Sequence, residues 1–345
     1  MKTITIQTAS RVSKILIGEK LANLPQYLPP GKTIIITDEN IMRYYGKALP
    51  PFPVITIGLG EQHKTMDTVN LIMEKLIEYE ADRSTFILGV GGGIVCDVTG
   101  FAASVYMRGL RFGFVSTTLL SQVDASVGGK NGVNFSRYKN MVGVFSQPEF
   151  VLCDTAMLQT LDDREFRAGF AEIVKAAAIR DACLFTFLED NYVKALKKDP
   201  EVMDRIVHAA VEIKADVVEK DEKESGERRK LNFGHTFAHS IEHLTGMLHG
   251  EAVSVGMDLA ATLSVKQGFL PEEDRDRIRQ LLQNFGLPVS TDIDPVSLLE
   301  GMKKDKKREG DYIHLVLLER TGNAFIHKTS IQHLEKLIYD LRKPV

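Results

Sequence analysis

The sequence predicts two domains, an N-terminal α/β domain on a mostly parallel sheet and an all-helical C-terminal domain, and three observations carry that prediction. The chain has 345 residues, more than one hydrophobic core usually supports. Up to about residue 155, β-branched runs alternate with helical periodicity, the rhythm of parallel strands joined by crossover helices. From Asp162 to about Lys307 the strands give way to successive helical patterns. The division is placed as residues 1–158 and 159–345.

Each element follows from its own residues. "MKTITIQTASRVSKILIG" reads as two strands; Thr, Gln, Ser and Lys interrupt its apolar residues, so it lacks the apolar core of a signal peptide. "KTIIITD", "PVITIG" and "STFILGV" are strands, and "TMDTVNLIMEKLIEYE" is a helix whose Val69, Ile72, Met73, Leu76 and Ile77 face the sheet. Beyond "EFVLCDTAMLQTLDDREF" come the helical segments "FRAGFAEIVKAAAI", "EVMDRIVHAAVEIKADVVEK", "HGEAVSVGMDLAATLSVKQG" and "PEEDRDRIRQLLQNFG", punctuated by Gly, Asp-Pro and Leu-Pro. Near the end, "YIHLVLLE" and "AFIHK" flank "RTGN" as a hairpin, and "IQHLEKLIYDLRK" closes the chain as a helix.

Composition narrows the function classes. With 44% apolar and 26% charged residues and a mean hydropathy of -0.08, the chain reads as a globular protein, neither disordered nor fibrous. No stretch approaches the length of an uninterrupted apolar membrane span. The net charge of -3 is not that of a nucleic-acid-binding surface, so any anionic partner meets local basic clusters. Cys96, Cys153 and Cys183 are odd in number, widely spaced and without a CxxC, which fits a reducing compartment; the cytoplasm is the expectation.

"FILGVGGGIVCDVTGFAAS" is an apolar strand, a glycine turn and a helix start. Backbone amides at such a helix N-terminus can receive a pyrophosphate, so a Rossmann-like, nucleotide-binding domain is one reading. The third glycine of G-x-G-x-x-G falls on Ile94, so the dinucleotide fingerprint is not satisfied. A tight turn that needs glycine for sterics alone is the competing reading. Asp97, expected in the first helical turn, favours a ligand, although it can also complement the helix dipole. The following "VSTTLLSQVDASVGGKNGV" sets Thr117, Thr118, Asp124 and Lys130 around a Gly-Gly pair, a mixture suited to a polar ligand or to an exposed loop.

"LNFGHTFAHSIEHLTGMLHGE" carries His235, His239, His243 and His249. His235 and His239 share one helical face, and Gly246 should end that helix, leaving His249 on the next loop. A bare i,i+4 His pair is more often an ordinary polar pair than a metal site. A catalytic zinc, however, takes three protein ligands, often two His and a carboxylate. Glu172 and Lys175 in "EFRAGFAEIVKAAAI" offer that carboxylate beside a lysine; alone, they would read as a solvent-facing pair on an amphipathic helix.

Taken together, "GEQHKT", "GGGIVCD", "STTLLSQVDASVGGKNGV", "REFRAGFAEIVKAA", "ESGERRKLNFGHTFAHSIE", "LHGEAV" and "DKK" resemble, in this order, the 3-dehydroquinate synthases, sugar phosphate cyclases of the shikimate pathway to aromatic amino acids. The resemblance runs from about Asp38 to Lys306. It implies an NAD-binding α/β domain, a helical metal-binding domain, a homodimer, and a site in the cleft between domains with NAD and zinc, or cobalt in its place. Carried over by motif, Glu172, His235 and His249 are the metal ligands, and His239 supports a ligand or contacts the substrate, which makes it the candidate proton relay. NAD falls to Asp38 and Asn40 near the ribose, Glu61, Lys64, the turn of Gly92, Gly93 and Ile94, Asp97, Thr117, Thr118, Asp124, Lys130, Lys139 and Thr160. The substrate falls to Arg108, Asp124, Lys130, Asn140, Lys175, Lys214, Arg228, Asn232 and Lys306, with Lys304 and Lys307 as neighbours of the last. Most of these are cationic, which suits a small molecule carrying both phosphate and carboxylate.

The implied reaction converts 3-deoxy-D-arabino-heptulosonate 7-phosphate to 3-dehydroquinate and phosphate. It runs through transient oxidation by NAD, elimination of phosphate, return of the hydride, ring opening and an intramolecular aldol step, with no net redox. Other sugar phosphate cyclases and NAD- and metal-dependent polyol dehydrogenases share the plan. The dehydrogenases form net NADH and have no need for so many anion-binding groups.

Overall fold

The structure, a computed structural model, describes residues 1–8, 11–136, 138–303, 308–309 and 312–340. It divides into two compact units, Met1–Asp162 with Met203–Lys223, and Asp163–Val202 with Glu224–Val345.

The first unit is built on a seven-stranded sheet. Along the chain come β1 (Lys2–Gln7), β2 (Val12–Ile17), β3 (Thr33–Asp38), α1 (Glu39–Tyr45), β4 (Val54–Ile57), α2 (Met66–Glu78), β5 (Phe86–Gly91), α3 (Gly93–Val105), β6 (Arg111–Ser116), the hairpin β7 (Lys130–Phe135) and β8 (Tyr138–Phe145), and β9 (Phe150–Cys153). The sheet order is β1-β2-β9-β6-β5-β3-β4, parallel except for the β1–β2 pair. β5 and β9 are buried throughout, as expected of parallel strands covered on both faces. β4 lies on one side of β3 and β5 on the other. The winding direction therefore reverses there, and the carboxyl ends of β3 and β5 open a crevice of the kind in which α/β sheets bind ligands.

Helix α2 starts where Thr65 caps it, its side chain accepting from Thr68 N–H. Val69, Ile72 and Leu76 are buried, but Ile77 is 67% exposed. At 100° per residue Ile77 sits about 100° from the centre of the buried stripe, so its expected place against the sheet is corrected. The polar stretch after β6 is not a plain loop either. It forms a π-helical turn, Ser121–Ala125, and then enters β7, which pairs with β8.

The second unit contains α4 (Asp163–Arg180), α5 (Ala182–Leu196), the start of α6 (Pro200–Lys220), α7 (His235–Thr245), α8 (His249–Lys266), α9 (Glu272–Asn284) and α10 (Pro295–Lys303). It ends in β10 (Arg308–Glu309), β11 (Tyr312–Arg320), β12 (Asn323–Ser330) and α11 (Ile331–Asp340). The expected hairpin is β11–β12, turning at Thr321–Gly322, with Gly322 at φ +87°. From Met203 onward α6 belongs to the first unit, which a single cut at 158/159 does not anticipate. Its amphipathic pattern shows that it buries a face but not against which core. Long-range bonds decide that: Thr155 Oγ1 donates to Asp204 Oδ1 at 2.7 Å and Gln7 N–H to Glu219 Oε1 at 2.8 Å. Among the described residues no helix is long and apolar enough to cross a membrane.

Candidate functional site

In the second unit three segments bring Glu172, His235 and His249 together. Glu172 is buried in the middle of α4, and His235 and His249 are the first residues of α7 and α8. His249 is thus helical rather than on a loop. Glu251, three residues after Leu248, accepts the Leu248 N–H at 3.0 Å and begins the helix at His249. Small residues permit the close approach. A Cβ on Gly250 would stand 1.9 Å from the Ala168 carbonyl of α4, and one on Gly256 would stand 2.1 Å from the Gly234 carbonyl just before His235.

The ligand atoms of the three residues lie within 4.8 Å of one another. Nε2 of His235 and of His249 stand 3.5 and 3.6 Å from the same oxygen, Glu172 Oε1. Those separations are long for hydrogen bonds, and Glu172 Oε1 has no well-formed hydrogen-bond partner. They are close to what a shared ion requires, since two ligands of a tetrahedral metal with bonds of about 2.0 Å stand about 3.3 Å apart. The donor set therefore fits a divalent cation such as zinc.

The neighbours aim each ligand. His235 Nδ1 lies 3.2 Å from the Phe233 carbonyl, an acceptor only, so Nδ1 carries the proton and Nε2 offers its lone pair. His249 Nδ1 faces Glu242 Oε2 at 3.6 Å. Lys175 contacts the other Glu172 oxygen, and both side chains are buried, so the solvent-facing reading of this pair is overturned. Burial opposes the charge on Glu172, but Lys175 and His249 outweigh it and hold the carboxyl at about 2. Burial likewise disfavours the charged His249, yet Glu172 and Glu242 bring it up to about 9.

His239 is exposed on α7, its ring edge-on to His235 with centroids 5.9 Å apart. It is not one of the converging ligands, and His243 lies on the exposed side of the same helix. Arg228 is 2% exposed, and the Asn232 amide donates to Glu224. Lys304, Lys306 and Lys307 lie outside the described residues.

In the first unit the expected nucleotide-holding residues lie at or just beyond the carboxyl ends of the parallel strands. Asp38 ends β3 and caps α1, accepting from Ile41 N–H at 2.9 Å, with burial pushing its carboxyl up; Asn40 is exposed beside it. Glu61 and Lys64 follow β4, Thr117 and Thr118 follow β6, and Thr160 follows β9, bonded to Tyr45 Oη at 2.8 Å. After β5, Gly92 is the N-cap of α3 without a side-chain cap, and Gly93 and Ile94 open the helix. A Cβ on Gly92 would stand 2.9 Å from Thr118 Cγ2, so the turn needs glycine for packing while its amides stay free of a side-chain cap. That combination fits an anionic ligand.

Asp97 lies past the first turn of α3, which holds no acidic residue, so dipole complementation is corrected. Its carboxylate pairs with Lys64 Nζ at 2.5 Å, and burial raises it against that pull. Lys214, from the returning part of α6, donates to both Asp124 O and Asp124 Oδ1 at 2.5 Å, with Asp124 carried on the π-helical turn. Lys130, Lys139 and Asn140 line the exposed part of the hairpin, and Arg108 is exposed at φ +68°.

Two acidic residues escaped the sequence reading. Glu242 lies seven residues beyond His235 and seven before His249, with no local pattern to mark it. Glu224 sits at φ +60° against Asn232; its backbone conformation is its signal, and that is invisible in the sequence.

Residues 54–168 match the 3-dehydroquinate synthase N-terminal family and residues 169–308 the 3-dehydroquinate synthase C-terminal family. The chain is 40% identical over 347 residues to 3-dehydroquinate synthase of Nitrosospira multiformis, covering 95% of both chains. Its fold is similar to a crystal structure of 2-deoxy-scyllo-inosose synthase with carbaglucose-6-phosphate, NAD+ and Co2+ (TM-score 0.87, 29% identity, 98% of this chain and 99% of that one). It is also similar to 2-epi-5-epi-valiolone synthase of Streptomyces hygroscopicus subsp. jinggangensis 5008 with NAD+ and Zn2+ (TM-score 0.88, 28% identity, 99% of each).

Proposed function

The chain belongs to the 3-dehydroquinate synthase family, and from that membership we propose that it converts 3-deoxy-D-arabino-heptulosonate 7-phosphate to 3-dehydroquinate and phosphate, as an NAD- and metal-dependent lyase. The observation that carries the metal half of the reading is the buried convergence of Glu172, His235 and His249. Support for the nucleotide half comes from the uncapped glycine turn at the carboxyl end of β5. The cyclase neighbours with NAD+ and Co2+ or Zn2+ favour the same pair of groups.

When bound, NAD supplies reversible hydride uptake and zinc supplies Lewis acidity at the hydroxyl being oxidised. The chain's residues do the rest. Asp38 and Asn40 hold the ribose, and the amides at Gly92, Gly93 and Ile94 hold the pyrophosphate, with Glu61, Lys64, Asp97, Thr117, Thr118, Lys139 and Thr160 around them. The cationic groups Lys175, Arg228, Arg108, Lys130 and Lys214 are those we assign to the substrate's phosphate and carboxylate, through charge-assisted hydrogen bonds. Asp124, Asn140, Asn232 and Lys306 complete the polar set. His239 carries away the hydroxyl proton at its exposed imidazole. The leaving phosphate takes the ring proton itself, so the chain needs cations to orient it more than a strong base. The proposal includes a cytoplasmic homodimer, as the family resemblance implies.

Metal and activity should be lost together. Chelator treatment abolishes turnover and zinc restores it, while Glu172→Gln lowers zinc content and turnover in parallel at an unchanged far-ultraviolet circular dichroism spectrum. Full zinc occupancy and normal turnover in Glu172→Gln would remove Glu172 from the ligand set.

A further inference from the structure

The first unit contains an asparagine that the proposed chemistry does not use. Asn134, near the end of β7, donates from Nδ2 to Glu61 Oε1 at 2.8 Å. Its Oδ1 accepts the backbone N–H of Asn140 at 2.9 Å. Its own backbone N–H donates to the Lys64 carbonyl at 2.8 Å, and Thr65 pairs with it as an isolated parallel bridge. Lys139 Nζ stands 3.8 Å from the same Glu61 oxygen. One residue thus joins the loop after β4 to the strand β8, through two side-chain bonds and one backbone bond of good length.

The chemistry of the position is specific. Asn140 adopts φ +50°, a conformation uncommon for a residue with a Cβ, and Asn134 Oδ1 supplies the acceptor for its amide. The two bonds need a donor and an acceptor on one short stem, which only asparagine provides at this reach. An aspartate would keep the acceptor for Asn140 but set a second carboxylate against Glu61. An alanine would abandon both partners.

We propose that Asn134 is a positioning residue that sets the Glu61–Lys64 loop and the Lys139–Asn140 strand as one piece. The inference rests on the reading above, in which Glu61, Lys64 and Lys139 hold NAD and Asn140 meets the substrate. Asn134 then acts through these four residues and touches neither ligand.

The test is a double-mutant cycle. Asn134→Asp and Asn134→Ala are made in the wild-type chain and in Glu61→Gln, and two quantities are followed: amide hydrogen exchange of residues 60–65 and 138–140 without ligand, and NAD affinity by isothermal titration. In the wild-type background both substitutions accelerate exchange in both segments about tenfold and weaken NAD about tenfold, as loss of a hydrogen bond to a charged group predicts. In Glu61→Gln, Asn134→Asp changes either quantity by less than about threefold, because the introduced amide donates to the introduced carboxylate; Asn134→Ala is not rescued. Unchanged exchange in Asn134→Ala overturns the proposal, as does an equal loss for Asn134→Asp in both backgrounds. So does faster exchange with NAD affinity within about twofold of wild type. Should Asn134→Ala fail to fold, the isosteric Asn134→Asp pair decides alone. A wild-type chain that does not bind NAD overturns the nucleotide reading instead, and the exchange cycle still decides whether the latch exists.

Discussion

At the scale of single residues, Glu172 gathers its meaning from its surroundings. The sequence offered a carboxylate and a lysine three apart on a helix, which is most often a surface pair. Burial of both side chains, with two imidazoles turned toward one oxygen, makes the pair part of a candidate cation site. His235 and His239 illustrate the opposite case. Their i,i+4 spacing puts them on one helical face, an arrangement more often an ordinary polar pair than a metal site, and only His235 converges on Glu172, while His239 stays exposed. On the proposal that His239 carries a proton and is not a ligand, its removal leaves the metal in place. His239→Asn should lower kcat about 10²-fold or more at unchanged zinc content, and zinc loss in that variant would contradict its role. Glu19 gives a pH-dependent case away from the site. Hydrogen bonds from Tyr27 and Asn23 hold its buried carboxyl below the ordinary value of 4.5. A lowered folded pKa contributes stability above pH 4.5 that is lost as pH falls through it. Tyr27→Phe should therefore cost about 1 kcal/mol at pH 7 and progressively less below pH 4. Urea midpoints by circular dichroism, at both pH values, check this; an equal cost at both would contradict it.

At the scale of elements, the site depends on how closely helices can cross. Gly250 and Gly256, on one helix, admit the Ala168 and Gly234 carbonyls at distances no Cβ permits. These approaches bring α4 and the start of α7 against α8, and with them all three ligands. Gly250→Ala should therefore separate His249 from Glu172 and weaken zinc binding about 10-fold or more, a loss of the size seen when the support of a ligand is disturbed. Zinc affinity by chelator competition measures it; an affinity within twofold of wild type would show that the crossing can yield without moving the ligands. Strong periodicity made most strands and long helices legible. The β7–β8 hairpin and the π-helical turn were not, because their glycines, asparagines and lysines follow no apolar period and their pairing depends on partners far along the chain. Ile77 was misplaced for a related reason: the position lies at the margin of a stripe, where tertiary contacts decide.

For the whole molecule, the division into an α/β part and a helical part was readable from the change in periodicity near residue 160, but the return of α6 to the first unit was not. An amphipathic face records that burial occurs and leaves the partner open. The polar strings proposed to hold the nucleotide stood out in the sequence, and the sheet order sets most of them together, since strands running in parallel end at one edge. The residues offered His235, His239 and Glu172 as candidates, but the candidate ligand set with His249 came from resemblance, since Glu172 is separated from His235 by 63 positions. Function follows from the combination of family and chemistry: a reaction that borrows a hydride and returns it consumes no NAD. Counting phosphate released from 3-deoxy-D-arabino-heptulosonate 7-phosphate per NAD supplied, with zinc present and NAD limiting, tests this most directly. Many phosphates per NAD, with 3-dehydroquinate formed and no NADH accumulating, is the predicted result. Release of no more than one phosphate per NAD, or NADH accumulating in step with product, would contradict a redox-neutral lyase.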